Sequence, residues 1–151
     1  MPLDVPLGGS HRAYIRAVAA ALTQAGISVA DVDFLEDFWD DGDPIRCAHI
    51  VLARLATMQV YGDRQVFLSW TEESGWDFHA DARDSLFAGL AYPLCDQLLP
   101  APAELLTDVQ AALGELPEAT GRPRPSYRFY GDHDETLEEQ LDTYTTQEAR
   151  P

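Results

Sequence analysis

The sequence contains no lysine, and its ten basic residues are all arginine. Against them stand 26 acidic residues, so that the formal net charge at pH 7 is −16. An excess of negative charge of this size repels phosphate backbones and anionic lipid headgroups. The composition therefore argues against direct binding to nucleic acid or to a membrane. It is compatible with plain solubility, which is the commoner reason for such a charge, and with attraction to a basic partner.

Long apolar runs and export signals are also missing. No segment approaches the ~20 apolar residues that a helix needs to cross a bilayer, and the opening MPLDVPLGGS lacks the basic and apolar regions of a signal peptide. We therefore expect a cytoplasmic protein with a short disordered lead at residues 1–9. In that reducing compartment Cys47 and Cys95 are expected to be small buried side chains rather than a disulfide.

Standard catalytic and cofactor motifs are absent from the chain as well. It has no GxSxG nucleophile elbow, no Walker phosphate loop, no GxGxxG dinucleotide loop, no HExxH zinc helix and no CxxC pair. These absences lower the expectation of catalysis, and the sequence predicts no cofactor.

What the chain does have is the apolar content of one folded domain. Hydrophobic residues make up 46% of its 151 residues, as in ordinary globular proteins, and this length fits a single domain. We predict one α+β domain over residues 10–116. From residue 117 to 151 the composition turns proline-rich and then acidic, which predicts a largely flexible tail.

Helical periodicity appears at both ends of this predicted domain. Residues 10–25 carry an apolar stripe between Ser10, a suitable N-cap, and Gly26, a suitable stop. A second amphipathic helix follows Pro102. A further helix is predicted over residues 82–92.

Alternating apolar and polar residues predict the strands in between. Four strands are expected, over residues 32–39, 47–55, 66–71 and 76–81. The last two are predicted to form a hairpin whose loop, Glu72 to Gly75, is closed on both sides by Trp70 and Trp76. Asp40 to Pro44 has the composition of a turn, and residues 58–63 are expected to form a loop. The predicted fold is an antiparallel four-stranded meander with N-terminal and C-terminal helices packed on one face, in the order α-β-β-β-β-α-α.

Aromatic and acidic residues near the predicted turns are candidates for binding a protein. The simplest interpretation of the three tryptophans is core and hairpin packing, and the alternative is a partner-binding surface. The acidic turn lacks the ordered spacing of a calcium-binding EF-hand loop. The predicted partner-binding residues are Trp39, Asp40, Asp41, Asp43, Trp70, Trp76, Tyr127, Phe129 and Tyr130.

A metal site is a second possibility on the return strand of the hairpin. Asp77, His79 and Asp81 alternate there, so they share one face at a spacing of about 6 to 7 Å. Carboxylate and imidazole groups are ligands for zinc or manganese. The simpler interpretation is a solvated face of a half-exposed sheet.

Three phrases of the sequence resemble an uncharacterised bacterial family, common in actinobacteria, whose function is unknown. They are YIRAVAAAL at 14–22, VFLSWTEESGW at 66–76, and Pro100-Ala101-Pro102 before a helix. The resemblance covers roughly residues 10–114 and implies no activity. The order of elements also looks like that of small bacterial chaperone and adaptor domains, which bind protein segments and dimerise.

Three functional hypotheses follow from the sequence. The first is a non-catalytic protein-binding or adaptor module that acts on a protein partner or as a homodimer. The second is an acidic inhibitor or decoy that occupies a basic, nucleic-acid-binding protein. The third is a small metal-dependent enzyme that uses Asp77, His79 and Asp81.

Overall fold

A computed structural model of the chain contains four helices and six strands among its described residues. The structure describes residues 11–34, 36–38, 44–81, 90–114, 126–128 and 134–149. The helices are α1 Arg12–Gln24, α2 Arg54–Tyr61, α3 Pro102–Gly114 and α4 Glu135–Ala149. The strands are β1 Val29–Asp33, β2 Glu36–Phe38, β3 Pro44–Leu52, β4 Gln65–Thr71, β5 Gly75–Asp81 and β6 Leu90–Pro93.

The strands form an antiparallel sheet in the order β1-β3-β4-β5-β6, and β2 pairs with the first residues of β3. The predicted hairpin is confirmed, with Trp70 of β4 directly opposite Trp76 of β5. The α+β class, the antiparallel sheet and the helices at both ends are therefore confirmed. The sheet has more strands than the four predicted, because the single strand predicted over 32–39 is divided into β1 and β2 and because β6 was not predicted.

The period of two along the strands places one set of side chains in the core. Ile50, Leu68 and Phe78 lie on this face and are fully buried. They share one hydrophobic cluster with residues of α1, α3 and α4. The helices thus cover the apolar face of the sheet.

The first predicted helix is confirmed as α1. Its buried side chains recur at helical spacing, and they include Tyr14, Val18 and Leu22. Gly26 has φ +89° just after the helix, a conformation that glycine adopts without the steric cost of a Cβ. Ser10, the predicted N-cap, lies outside the described residues.

The predicted loop at 58–63, and the predicted extension of the strand to residue 55, are wrong. Residues Arg54–Tyr61 form α2 instead. The helix has a narrow buried stripe, Thr57 and Tyr61, one turn apart, too short to give a clear period in the sequence. The Tyr61 hydroxyl donates a hydrogen bond of 2.6 Å to the Ala112 carbonyl, which fixes α2 against α3.

The predicted helix over 82–92 is wrong at its C-terminal end, where Leu90–Pro93 forms strand β6. Tyr92 pairs with Phe78 of β5, and their rings lie 5.3 Å apart. Pairing along β5 and burial against Phe78 outweigh the weak local preference of this segment. Residues 82–89 lie outside the described residues.

The acidic end of the chain differs from the flexible segment that its composition predicts. Residues Glu135–Ala149 form helix α4, and Leu137 and Leu141 enter the hydrophobic core. The Asp134 carboxylate accepts a hydrogen bond of 3.1 Å from the Leu137 N–H at the start of the helix. Among the helices in the described part of the chain, none has the length and apolar character needed to cross a membrane.

Candidate functional site

The two hairpin tryptophans belong to the core. Trp70 is 0% exposed and Trp76 is 1% exposed. The Trp70 indole N–H donates to the Leu98 carbonyl at 2.9 Å, and the Trp76 indole N–H donates to the Tyr14 hydroxyl at 3.0 Å. Both polar groups are satisfied inside the protein. These two residues therefore present no surface to a partner, which corrects their place in the predicted binding set.

The tip of the β4–β5 hairpin is covered by two other parts of the chain. A Cβ at Gly75 would lie 3.1 Å from the Gln97 carbonyl oxygen and 3.3 Å from the Tyr127 ring. The Tyr127 N–H donates a hydrogen bond of 2.7 Å to the Glu73 carbonyl. Tyr127 is 38% exposed, so it lies on the domain and still faces solvent.

The other predicted partner-binding residues belong to two segments that lie outside the described residues. Trp39 and its acidic neighbours fall between β2 and β3, and the remaining aromatics fall before α4. Those outside the described residues are Trp39, Asp40, Asp41, Asp43, Phe129 and Tyr130. Their role in binding stays a prediction.

Of the three predicted metal ligands, Asp77 and His79 lie on the sheet face opposite the helices. Asp77 is buried, and its Oδ2 lies 4.0 Å from Nε2 of His79. The His79 ring stacks on Phe67 with the ring centres 4.7 Å apart. Asp81 pairs with Gln65 through the backbone. Across the described ranges no three His, Cys, Asp or Glu side chains are grouped as metal ligands, and the metal hypothesis stays a prediction.

A buried ion-pair network, consisting of Arg46, Glu72, Arg128 and Glu138, joins the sheet to the C-terminal part of the chain. Arg46 Nε and Nη2 donate to the two Glu72 oxygens at 3.0 and 3.1 Å. Its Nη1 and Nη2 donate to the Glu138 oxygens at 2.9 and 2.7 Å. Arg128 Nη1 donates to Glu72 Oε1 at 2.7 Å. The Glu72 carboxylate in the hairpin loop thus accepts hydrogen bonds from two guanidinium groups.

The network keeps Arg46 charged despite its burial. Burial works against the charge, but the hydrogen bonds to Glu138 and Glu72 outweigh it, and the pKa of Arg46 is raised above its ordinary value. Sequence reasoning missed this network, because Glu72 resembled an ordinary polar residue of a hairpin loop. The available signal was Arg46 itself, the one charged residue in the strand PIRCAHIVL.

His11 is a second buried polar residue that the sequence did not single out. It is 2% exposed, and its ring stacks on Trp70 at 5.7 Å. Nε2 lies 3.2 Å from the Cys47 carbonyl, which can only accept, so this nitrogen carries the proton. Burial lowers the pKa of His11 to about 4, against a smaller opposing effect of the Cys47 hydrogen bond.

Two apolar side chains of α2 are exposed to solvent. Leu55 is 86% exposed and Met58 is 51% exposed, and their spacing of three residues puts them on one side of the helix. We call this pair the α2 surface. Arg54 and Asp63 form an ion pair beside it. The sequence could not reveal this surface, because the segment was predicted to be strand and loop.

These features define an α+β domain with a helix-covered antiparallel sheet, a buried ion-pair network and an exposed apolar pair on α2. Residues 14–119 match the model of DUF6292, a family of unknown function, and the chain belongs to this family. The predicted resemblance to a family of unknown function is thereby confirmed, and the expected actinobacterial distribution stays a prediction. No curated protein and no solved structure matches the chain.

Proposed function

We propose that the chain is a non-catalytic protein-binding module that acts through the α2 surface. The observation that carries the proposal is the exposure of Leu55 and Met58, one turn apart on a helix that is otherwise fixed to the domain. Full burial of a side chain of this kind contributes about 1.5 to 3 kcal/mol. Leucine and methionine at this spacing are typical anchors of a helix that docks against a partner.

The size of the α2 surface sets the strength of the contact. A stable interface buries ~800 Å² on each partner, which two side chains cannot supply alone. Unless polar neighbours join the contact, binding is weak and depends on protein concentration. The proposed role is therefore a reversible association, as suits an adaptor.

The charge around α2 favours a second copy of this chain as the first partner to test. Residues 54 to 65 contain Arg54 and Arg64 against Asp63, a local net charge of +1 in a chain whose formal net charge is −16. Two acidic chains repel each other least where they approach through such a patch. A homodimer that meets through α2 thus avoids most of the repulsion between its subunits.

Sedimentation over a range of protein concentrations tests this function. We expect the wild-type chain to self-associate, and the Leu55→Glu, Met58→Glu variant to stay monomeric, because a carboxylate cannot be buried in an apolar contact. The matched control is Thr107→Glu, Gln110→Glu, which adds the same charge at the same spacing on exposed positions of α3. If the wild type is monomeric, affinity capture with the same three proteins tests another partner. Equal capture by all three would contradict the proposal.

The acidic decoy is a second candidate, and the surface of α4 favours it. The helix contains five acidic residues and no basic residue, and Glu139 and Asp142 are exposed. An arginine-rich peptide is a suitable probe for such a surface. We expect its affinity to fall at least ~10-fold between low and physiological salt, since exposed charges are screened. Binding that is indifferent to salt would contradict the decoy hypothesis.

A further inference from the structure

Helix α4 lies in a groove that other elements of the domain form. Its apolar side contains Leu137, Leu141 and Tyr144, which recur at i, i+4 and i+7. Leu137 and Leu141 are buried in the core, and the Tyr144 ring packs at 4.9 Å against the ring of Tyr14 on α1. We call the surface that contacts the apolar and acidic side chains of α4 the α4 groove, and it includes Tyr14, Arg16 and Arg46.

The α4 groove also recognises charge, through one arginine near each end of the helix. Arg46 holds the Glu138 carboxylate with two hydrogen bonds, at 2.9 and 2.7 Å. Arg16 holds the Glu148 carboxylate with two hydrogen bonds of 2.6 Å. A bidentate pair fixes orientation as well as position. The two pairs therefore set both the register and the direction of a bound helix.

The groove and its occupant belong to different parts of the chain. Tyr14, Arg16 and Arg46 lie within the family match at residues 14–119, whereas α4 begins at Glu135. The domain shared by the family thus supplies the groove. The helix that fills it lies outside the match.

The sequence of α4 makes a weak helix when it is not docked. It has four threonines and an aspartate among 15 residues, all of low helix propensity. Isolated helices of this length are marginal in water even for better sequences. Most of the helical stability of α4 therefore comes from its contacts with the groove, so undocking and loss of helix are coupled.

We propose that the α4 groove is a docking site for an acidic amphipathic helix of a partner protein, and that α4 occupies this site in cis. The partner helix has apolar side chains at i, i+4 and i+7, with carboxylates at i+1 and i+11 that meet Arg46 and Arg16. Recognition of this kind places one face of a helix in an apolar groove. The inference adds a second surface to the proposed protein-binding function and does not depend on the α2 surface.

A peptide titration with the full chain tests the proposal. The Leu137→Asp, Leu141→Asp chain removes the apolar anchors of α4 and leaves every groove residue unchanged. We expect a fluorescent peptide with the sequence of residues 134–149 to bind this variant at least ~10-fold more tightly than the wild type, whose groove is occupied. The same peptide with Leu141→Asp is the matched control, and we expect it to bind at least ~10-fold more weakly.

Charge reversal tests whether the peptide binds in the register of α4. Adding Arg16→Glu to the variant chain is expected to weaken binding of the peptide. Glu148→Arg in the peptide is expected to restore binding to that chain. Adhesion of an apolar peptide to any exposed surface would not respond in this way. The Leu55→Glu, Met58→Glu substitutions leave the groove intact, so failure of the α2 proposal and failure of this one are distinguishable.

Hydrogen exchange of the wild-type chain tests the proposal without any variant. If α4 undocks separately, its amides exchange at least ~10-fold faster than those of β4 and β5. Three results would overturn the proposal. In the first, the amides of α4 exchange hydrogen only when those of the sheet do. In the second, the peptide binds neither the wild-type chain nor the variant. In the third, α4 is swapped between the two copies of a dimer, which would assign the groove to a second copy of this chain.

Discussion

The buried histidine is the residue whose chemistry most directly affects stability. His11 is held neutral between the rings of Trp70 and Phe34, and its Nε2–H donates to the Cys47 carbonyl. Arg46 and Arg12 add to the effect of burial and lower the pKa of His11, whereas Glu72 raises it slightly. A proton on this ring would therefore be unfavourable in the folded state but not in the unfolded chain.

Because of His11, we expect the free energy of unfolding to decrease as the pH is lowered. Its folded pKa of about 4 lies below the ordinary 6.5, so its contribution is complete above pH 6.5 and is lost as the pH falls towards 4. The loss is about 2 kcal/mol between pH 7 and pH 5. Urea unfolding of the wild type and of His11→Gln at both pH values measures it. Parallel pH dependence of the two proteins would show that His11 does not contribute.

The buried ion-pair network gives a second prediction at the scale of single residues. Glu72→Gln keeps the size of the side chain but leaves Arg46 and Arg128 buried with one carboxylate fewer. Removal of one partner from a buried ion pair typically costs about 3 to 5 kcal/mol. Urea unfolding at neutral pH measures the loss.

The exposed pair Arg16–Glu148 is the matched control for this substitution. Its side chains are 47% and 44% exposed, and solvent screens such pairs. Glu148→Gln is therefore expected to cost less than about 1 kcal/mol. Equal losses for Glu72→Gln and Glu148→Gln would contradict the role assigned to Glu72.

At the scale of elements, the sequence predicted those structures whose signals are local. The β4–β5 hairpin and α1 were predicted because their apolar residues follow an uninterrupted period and their ends carry glycine. The buried face of α1 and the pairing of Trp70 with Trp76 are as expected.

The elements that the sequence did not predict depend on distant contacts. Helix α4 has a polar composition, and its two buried leucines join the hydrophobic core only when α4 packs against α1. Strand β6 depends on its pairing with β5. Helix α2 depends on the hydrogen bond that Tyr61 donates to the Ala112 carbonyl of α3. Local propensity contains no information about such partners. The same holds for the buried ion-pair network, because its members are far apart in the chain.

Packing at the hairpin tip gives a prediction at this scale. Gly75 has φ +72°, and a Cβ there would meet the Gln97 carbonyl oxygen at 3.1 Å. Gly75→Ala therefore adds a steric clash to the cost of the left-handed conformation. Gly26→Ala is the control, because Gly26 has φ +89° with nothing within 4 Å of the added Cβ.

Thermal unfolding of the two glycine variants separates the two costs. We expect Gly26→Ala to lower the free energy of unfolding by about 1 to 2 kcal/mol, and Gly75→Ala to lower it by about 1 kcal/mol more. If the two variants are equally stable, the segment around Gln97 and Tyr127 does not pack on the hairpin tip as described.

At the scale of the whole molecule, the two hairpin tryptophans show why aromatic residues alone did not locate a binding site. The sequence was compatible with Trp70 and Trp76 lying either in the core or on a binding surface. In the structure both are buried in the core. The α2 surface was not predictable, because exposure of Leu55 and Met58 follows from which side of α2 faces α3. Apolar exposure at this one helix, in an acidic chain, is the basis of the proposed function.

Oxidative footprinting of Met58 in the wild-type chain tests the α2 surface most directly. Met58 is 51% exposed, so in dilute protein we expect hydroxyl radicals to oxidise it readily. At high protein concentration, or with a bound partner, its oxidation is expected to fall several-fold while that of Tyr127 stays constant. Oxidation of Met58 that remains unchanged under both conditions would contradict the account.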